Sequence, residues 1–134
     1  MARSEVNYIY DAAAAFRAPG LAALTADATL GTFALDKLVN VRPSSQRGKL
    51  ASQEYDIVIV VESAVTPNAD ETYRVNAVVD GVTVGSLLLA GAGQYVLCLD
   101  AATIEKVAAT HAEIALALDV SGTAPSIKLS AWIV

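Results

Sequence analysis

An Asp80-Gly81 pair between two alternating runs is the strongest constraint that this sequence places on its fold. A two-residue turn of this kind needs positive φ at both central positions, which Asp and Gly tolerate well. Residues 71–79 before the pair and 82–88 after it both alternate with the period of a β-strand. The inward positions of the first run are Tyr73, Val75, Ala77 and Val79. The pattern therefore predicts an antiparallel hairpin.

Four further segments have the β-branched or alternating pattern of strands, at 55–62, 94–100, 113–120 and 126–134. Their predicted inward residues are Tyr55, Ile57, Ile59, Val61, Ile114, Leu116, Leu118, Val120, Ile127, Leu129, Ala131 and Ile133. Residues 30–35 form a weaker candidate. Strands at this spacing predict an all-β fold: an antiparallel β-sandwich, jelly-roll-like, with one short helical segment.

That helical segment is predicted over residues 101–109, with Asp100 as its N-cap. Residues 1–134 are long enough for a single β-sandwich domain. Within it, residues 1–20 are a candidate extended N-terminal arm, although residues 11–17 also fit a helical turn. The polar segment 41–53 is predicted to be a loop.

Residues 81–99 contain no charged side chain, and these nineteen residues are about as long as a membrane-spanning helix. Four glycines, Gln94 and β-branched alternation favour two strands joined by a turn at 91–93 instead. The whole chain is 54% hydrophobic and only 17% charged. Without a membrane segment, this composition predicts a surface covered by copies of the chain or by a partner.

The charges are unevenly distributed along the chain, which has a net charge of −5. Residues 1–50 carry six basic and four acidic groups, whereas residues 51–134 carry three basic and ten acidic groups. An acidic protein is a poor ligand for nucleic acid. The asymmetry favours contact between the first segment of one copy and the body of another, and a solvated acidic face explains it equally well.

The residues that could support catalysis are few. His111 is the only histidine, and Cys98, which sits in an apolar run, is predicted to be a buried hydrophobe. Asn68, Asp70 and Glu71 could offer oxygen ligands to a cation, but their spacing favours an ordinary turn. We therefore expect a protein that is not an enzyme, with no cofactor and no metal site.

Two outward positions suggest an interface instead. If Ala131 and Ile133 point inward, Trp132 points outward as an interface anchor, unless a register slip or bulge turns it inward. On the strand from residue 113, Ala115 and Ala117 are outward, small and apolar. Such side chains suit close packing against another surface.

Several stretches together resemble the jelly-roll capsid cement (decoration) proteins of tailed double-stranded-DNA bacteriophages. These stretches are YDIVIVVESAVTPNADETYRVNAVVDG (55–81), GQYVLCLDAATI (93–104), GTAPSIKLSAWIV (122–134) and YIYDAAAA (8–15). The resemblance implies a structural virion protein, made in the bacterial cytoplasm, that binds the outer capsid surface. It implies the major capsid protein and further copies of the chain, as a homodimer or homotrimer, as partners, with no direct nucleic-acid or membrane contact.

This hypothesis assigns contacts with the capsid or with another subunit to nine residues. The polar contacts are Arg3, Arg17, Arg42, Arg47 and Lys49, and the apolar anchors are Tyr8, Tyr10, Phe16 and Trp132. Two alternatives remain open at this point. One is a β-sandwich that binds a carbohydrate or small ligand, and the other is a tail or head-fibre component of a virion.

Overall fold

The alternating runs form strands in the computed structural model, which describes residues 14–34, 54–107 and 113–133. These ranges contain eight strands and one helix. The strands are β1 (Ala15–Arg17), β2 (Ala28–Ala34), β3 (Glu54–Val65), β4 (Thr72–Val79), β5 (Val82–Leu89), β6 (Gly93–Asp100), β7 (Glu113–Ser121) and β8 (Ser126–Ile133), and the helix is α1 (Ala101–Val107). The predictions at residues 1–13, His111 and the loop 41–53 lie outside the described residues.

The strands form two antiparallel four-stranded sheets. The first sheet has the order β1-β8-β3-β6, and the second has the order β2-β7-β4-β5. The chain passes from one sheet to the other after every strand except β4, which joins β5 through the hairpin. This is the strand order of a jelly roll, so the predicted antiparallel β-sandwich with one short helical segment is confirmed.

The core lies between the sheets and contains the inward residues that the alternation predicted. Tyr73, Val75, Ala77 and Val79 are at most 1% exposed, and the inward side chains of β3, β7 and β8 join the same cluster. Val120 is only half-buried and packs against that cluster from its margin. Burying one face of each strand supplies the main driving force for this fold, because each side chain of this size contributes roughly 1.5–3 kcal/mol when fully buried.

The hairpin and the helix cap both have the predicted geometry. Asp80 and Gly81 have φ of 52° and 78°, and the strands on either side pair antiparallel. At the start of α1, the Asp100 carboxylate accepts hydrogen bonds from the Ala102 amide (3.3 Å) and the Thr103 hydroxyl (3.1 Å). Ala101 and Ile104 attach the helix to the core. Residues 108–109, the predicted end of the helix, lie outside the described ranges.

The charge-free run forms β5, a turn and β6 rather than a helix. Within the described ranges, no helix reaches the length and apolarity that a membrane crossing requires. Cys98 is exposed, so its predicted burial is wrong. The apolar neighbours Leu97 and Leu99 point inward, and the alternation of β6 therefore directs Cys98 to the outer face.

The weakest sequence predictions concern the first strands. The candidate strand at 30–35 is β2, which pairs with β7. Within the segment 11–17, Ala15–Arg17 forms β1, which pairs with β8 at the other end of the chain. Strand β1 therefore belongs to the sandwich, and an extended arm over residues 1–13 stays a prediction.

Candidate interaction surfaces

Three of the nine predicted contact residues lie in the described part of the chain. Phe16 and Arg17 lie in β1, and Trp132 lies near the end of β8. The other six lie outside the described residues, and their assignment stays a prediction. They are Arg3, Tyr8, Tyr10, Arg42, Arg47 and Lys49.

Phe16 is a core residue, so its prediction as an exposed apolar anchor is wrong. Its side chain is 5% exposed and belongs to the cluster between the sheets. The backbone is equally enclosed, because a Cβ at Gly31 would lie only 2.2 Å from the Phe16 carbonyl oxygen. The small size of Gly31 thus lets β1 and β2 approach closely where the two sheets meet.

Trp132 points to the outer face, as the first of its two sequence interpretations expected, but it is shielded from solvent. Ala131 and Ile133 belong to the core, so the alternation of β8 directs Trp132 to the outer face of the first sheet. There it lies opposite Val58 on β3. Both side chains are buried, with exposures of 4% and 0%. Trp132 is therefore not presented to a partner as an exposed anchor.

Arg17 is half-buried and contributes to the structure of the segment that follows β1. Its Nη2 donates a hydrogen bond to the carbonyl oxygen of Ala22 at 2.7 Å. Its Nε is buried and has no hydrogen-bond partner. The guanidinium thus binds the Ala22 carbonyl and remains only partly accessible, which makes it a weaker contact candidate than a free surface arginine.

The carboxylate oxygens of the Asn68–Glu71 turn accept hydrogen bonds from protein donors. Asp70 accepts hydrogen bonds from the Thr123 amide (3.2 Å) and hydroxyl (2.8 Å). Glu71 accepts from the amide and side chain of Asn68 (3.1 and 3.0 Å) and from the Ala124 amide (3.0 Å). Among the described residues, no group of three His, Cys, Asp or Glu side chains is placed to hold a metal ion.

Tyr73 extends these contacts into the sandwich. Its hydroxyl donates to the Val65 carbonyl oxygen and accepts from the Ser126 amide at 2.8 Å. Gly122 has a φ of +110°, and a Cβ there would lie 2.5 Å from the Glu71 Cα. We call these contacts between the β3–β4 and β7–β8 loops the end-loop network. The network fixes one end of the sandwich.

The two carboxylates of the end-loop network are stabilised in their charged forms. Hydrogen bonds from the side chain and backbone of Thr123 lower the pKa of Asp70. Burial alone would raise the pKa of Glu71, but the hydrogen bonds from Asn68 and Ala124 outweigh it, and that pKa is also lowered. Both groups therefore favour the folded state when ionised.

The outer face of the second sheet carries two uncharged rows that cross all four strands. In one row Thr32, Ala115, Val78 and Thr83 lie side by side, and in the other Thr29, Ala117, Asn76 and Ser86 do so. We call these eight residues the neutral face. All eight side chains are exposed or half-buried, and none is larger than valine or asparagine. Covering such a surface removes no charged group from water, although its hydroxyl and amide groups need hydrogen-bond partners.

Charged groups lie at the border of the neutral face. Arg74 on β4 pairs in register with Asp119 on one side and with Leu88 on the other. Its Nη1 also donates to the Ser86 hydroxyl at 2.8 Å. The alternation of β7 identified Ala115 and Ala117 from the sequence. The members on the other strands could not be identified, because adjacency across strands depends on the strand order.

Comparisons with known proteins provide no family assignment. No protein-family model matches the chain, and no curated protein matches it. Among solved structures, the chain is similar to the apo form of a cyclase from Fischerella sp., with a TM-score of 0.39 and 10% identity. That alignment covers 92% of this chain and 95% of the cyclase. A similarity with so low a TM-score and identity indicates nothing about the function of this chain.

Proposed function

We propose that this chain is a non-enzymatic structural protein that binds the outer surface of a phage capsid. In this role it bridges neighbouring major capsid protein subunits and stabilises the shell. The neutral face is the observation that carries the proposal. The jelly-roll fold and the sequence resemblance to cement proteins support it as well.

The neutral face has the chemistry that a packed protein–protein contact requires. The centres of such contacts are depleted of charged residues, because a charge removed from water must be compensated by a partner. Ala115, Ala117 and Val78 form an uncharged centre, while Arg74 and Asp119 lie at its border. Small side chains also let another backbone approach closely, and little side-chain entropy is lost on binding.

The described residues do not support the carbohydrate-binding alternative. Sugar sites of this kind use exposed aromatic rings, and each of the six aromatic side chains in the described ranges is buried or half-buried. They are Phe16, Phe33, Tyr55, Tyr73, Tyr95 and Trp132. The neutral face offers hydroxyl and methyl groups instead, which suit contact with another protein.

A reconstruction of the virus particles assembled from the genome that carries this gene tests the proposal. We expect density for the jelly roll on the outside of the head, seated where capsid subunits meet, with the neutral face toward the shell. Density in the tail or in a head fibre would contradict the proposal. Particles that lack the protein would contradict it as well.

A further inference from the structure

At each lateral side of the sandwich, the end strand of one sheet lies beside the end strand of the other. On one side β1 and β2 approach so closely that a Cβ at Gly31 would meet the backbone of Phe16. On the other side lie β5 and β6, the last strands of their sheets. No strand in the described part of the chain pairs with the outer edge of β5. A Cβ at Gly85 would likewise meet the Leu99 side chain of β6, so both sides are closely packed. Strand β5 differs from the other end strands in the large apolar side chain that it exposes, Leu88.

Strand β5 has few of the features that normally protect an edge. Natural edge strands carry charged side chains, particularly lysine, or proline, or bulges that interrupt pairing. Strand β5 has no charge and no proline, and Val82 and Leu88 are 39% and 55% exposed. Its one irregularity is the bulge at Val84, where the register with β4 shifts. Residues 85–89 beyond the bulge pair in regular register with β4.

We propose that β5 pairs antiparallel with β5 of a second copy of this chain around a two-fold axis. The two second sheets then join into one eight-stranded sheet. Backbone hydrogen bonds along residues 85–89 provide the contact, and the exposed Leu88 side chains pack beside the new strand pair. The bulge at Val84 limits the pairing to this regular stretch.

The charge distribution favours a second copy over an unrelated strand. In a two-fold antiparallel strand pair, the residue at the axis lies opposite the same residue of the second copy. The residues that precede it lie opposite those that follow it in the second copy. A charge near the axis would therefore meet the same charge, which is destabilising. The run from residue 81 to residue 99 contains no charge, so β5 can pair with itself without this penalty.

The dimer deepens the proposed function and rests on it for its biological role. Joining two second sheets through β5 doubles the neutral face on one continuous surface. Two linked contacts bind a shell with greater avidity than a single contact does. The dimer itself forms without a capsid, so its test uses only the purified full chain, and its failure is distinguishable from failure to bind capsids.

Sedimentation equilibrium of the wild-type chain and two matched double variants provides the test. In Ser86→Glu/Leu88→Glu, two acids enter β5 next to Arg74, whose single positive charge offsets part of the added charge within one chain. Thr29→Glu/Thr32→Glu places the same acids on β2, the opposite edge of the same sheet. We expect a wild-type dimer of twice the 13.9 kDa monomer mass, at least about tenfold weaker dimerisation for the β5 variant and no such change for the β2 variant.

Hydrogen exchange identifies the surface used. In wild type we expect slower exchange in β5 at high protein concentration than at low concentration, with exchange in β2 unchanged. A wild-type chain that stays monomeric up to about 100 µM would overturn the inference. So would a trimer, a dimer unaffected by the β5 acids, a dimer equally weakened by the β2 acids, or concentration-independent exchange in β5.

Discussion

Tyr73 connects two loops through a single hydroxyl group, and its removal is a sharp test of the end-loop network. In Tyr73→Phe, the Val65 carbonyl and the Ser126 amide both lose their hydrogen bond to the tyrosine hydroxyl. We expect the free energy of unfolding to fall by about 1–3 kcal/mol, because these partly buried groups regain only part of their hydration when the hydroxyl is removed. Urea denaturation monitored by circular dichroism measures the change.

Tyr95→Phe is the matched control for this prediction. The Tyr95 hydroxyl bonds to the carbonyl (2.8 Å) and amide (3.0 Å) of Gly91 in a local turn. Water can replace these bonds more easily than those between distant loops, so we expect a loss below about 1 kcal/mol. Equal losses for the two variants would contradict the structural role assigned to Tyr73.

Acid should weaken the end-loop network, because the pKa values of Asp70 and Glu71 are lowered in the folded state. Their contribution to stability is fully present above the ordinary pKa values and disappears as the pH falls through the folded-state values. Thr123→Val removes the hydroxyl donor to Asp70. We expect the variant to be less stable than wild type near pH 7, with the difference shrinking as the pH falls from about 5 to 2.

Urea denaturation of both proteins across this pH range measures the difference. The wild-type chain also contains other carboxylates, so the comparison between the two proteins, rather than either curve alone, reports on Asp70. A stability difference that stays constant with pH would show that ionised Asp70 does not supply the stabilisation.

Individual residues show the limits of predicting burial and hydrogen-bond partners from sequence periodicity. Cys98 lies in an apolar run, yet strand alternation directs it outward, and the period of two was the better guide. Trp132 obeys the same alternation but is buried, because burial on an outer face depends on the rest of the chain. Asn68 is a local partner of Glu71, but Thr123 and Ala124, which donate to Asp70 and Glu71, lie more than fifty residues away in sequence, and no local pattern reveals them.

At the scale of elements, the meeting of β1 and β2 provides a test of close packing. In Gly31→Ala, the new Cβ would lie 2.2 Å from the Phe16 carbonyl oxygen, which cannot move without displacing β1. We expect a loss of at least about 1–3 kcal/mol, the usual cost of overpacking. Thermal unfolding measured by calorimetry tests this expectation.

Gly91→Ala is the matched control, since a Cβ there meets no atom within 4 Å. We expect its unfolding temperature to stay close to that of wild type. If Gly31→Ala were equally harmless, β1 would not lie against β2 as the structure describes.

The long strands could be predicted from sequence, whereas the shortest could not. Strands β3, β4, β7 and β8 contain enough alternating residues to establish their period, and the Asp80-Gly81 turn sets the hairpin register. Strand β1 has only three residues, and its pairing partner β8 is more than one hundred residues away. Its formation depends on tertiary pairing, so local pattern left a helical turn and an extended arm equally open.

At the scale of the whole molecule, the structure shows which surfaces the uncharged residues occupy. The charge-free run forms the two edge strands of one side, and the neutral face covers the centre of the second sheet. The sequence composition predicted covered surface, but only the strand order shows which residues share it. We therefore interpret the uncharged surfaces as contact regions of an assembling protein.

Capsid binding by a neutral-face variant tests the central claim most directly. Ala117→Glu places a charge at the middle of the neutral face, whereas Ala102→Glu makes the same substitution at an exposed position in the first turn of α1, where an acid is favoured. Co-sedimentation with purified heads from the corresponding virus measures binding. We expect wild type and Ala102→Glu to bind alike and Ala117→Glu to bind at least about tenfold more weakly. Equal binding by all three proteins, or no binding by wild type, would contradict the proposed function.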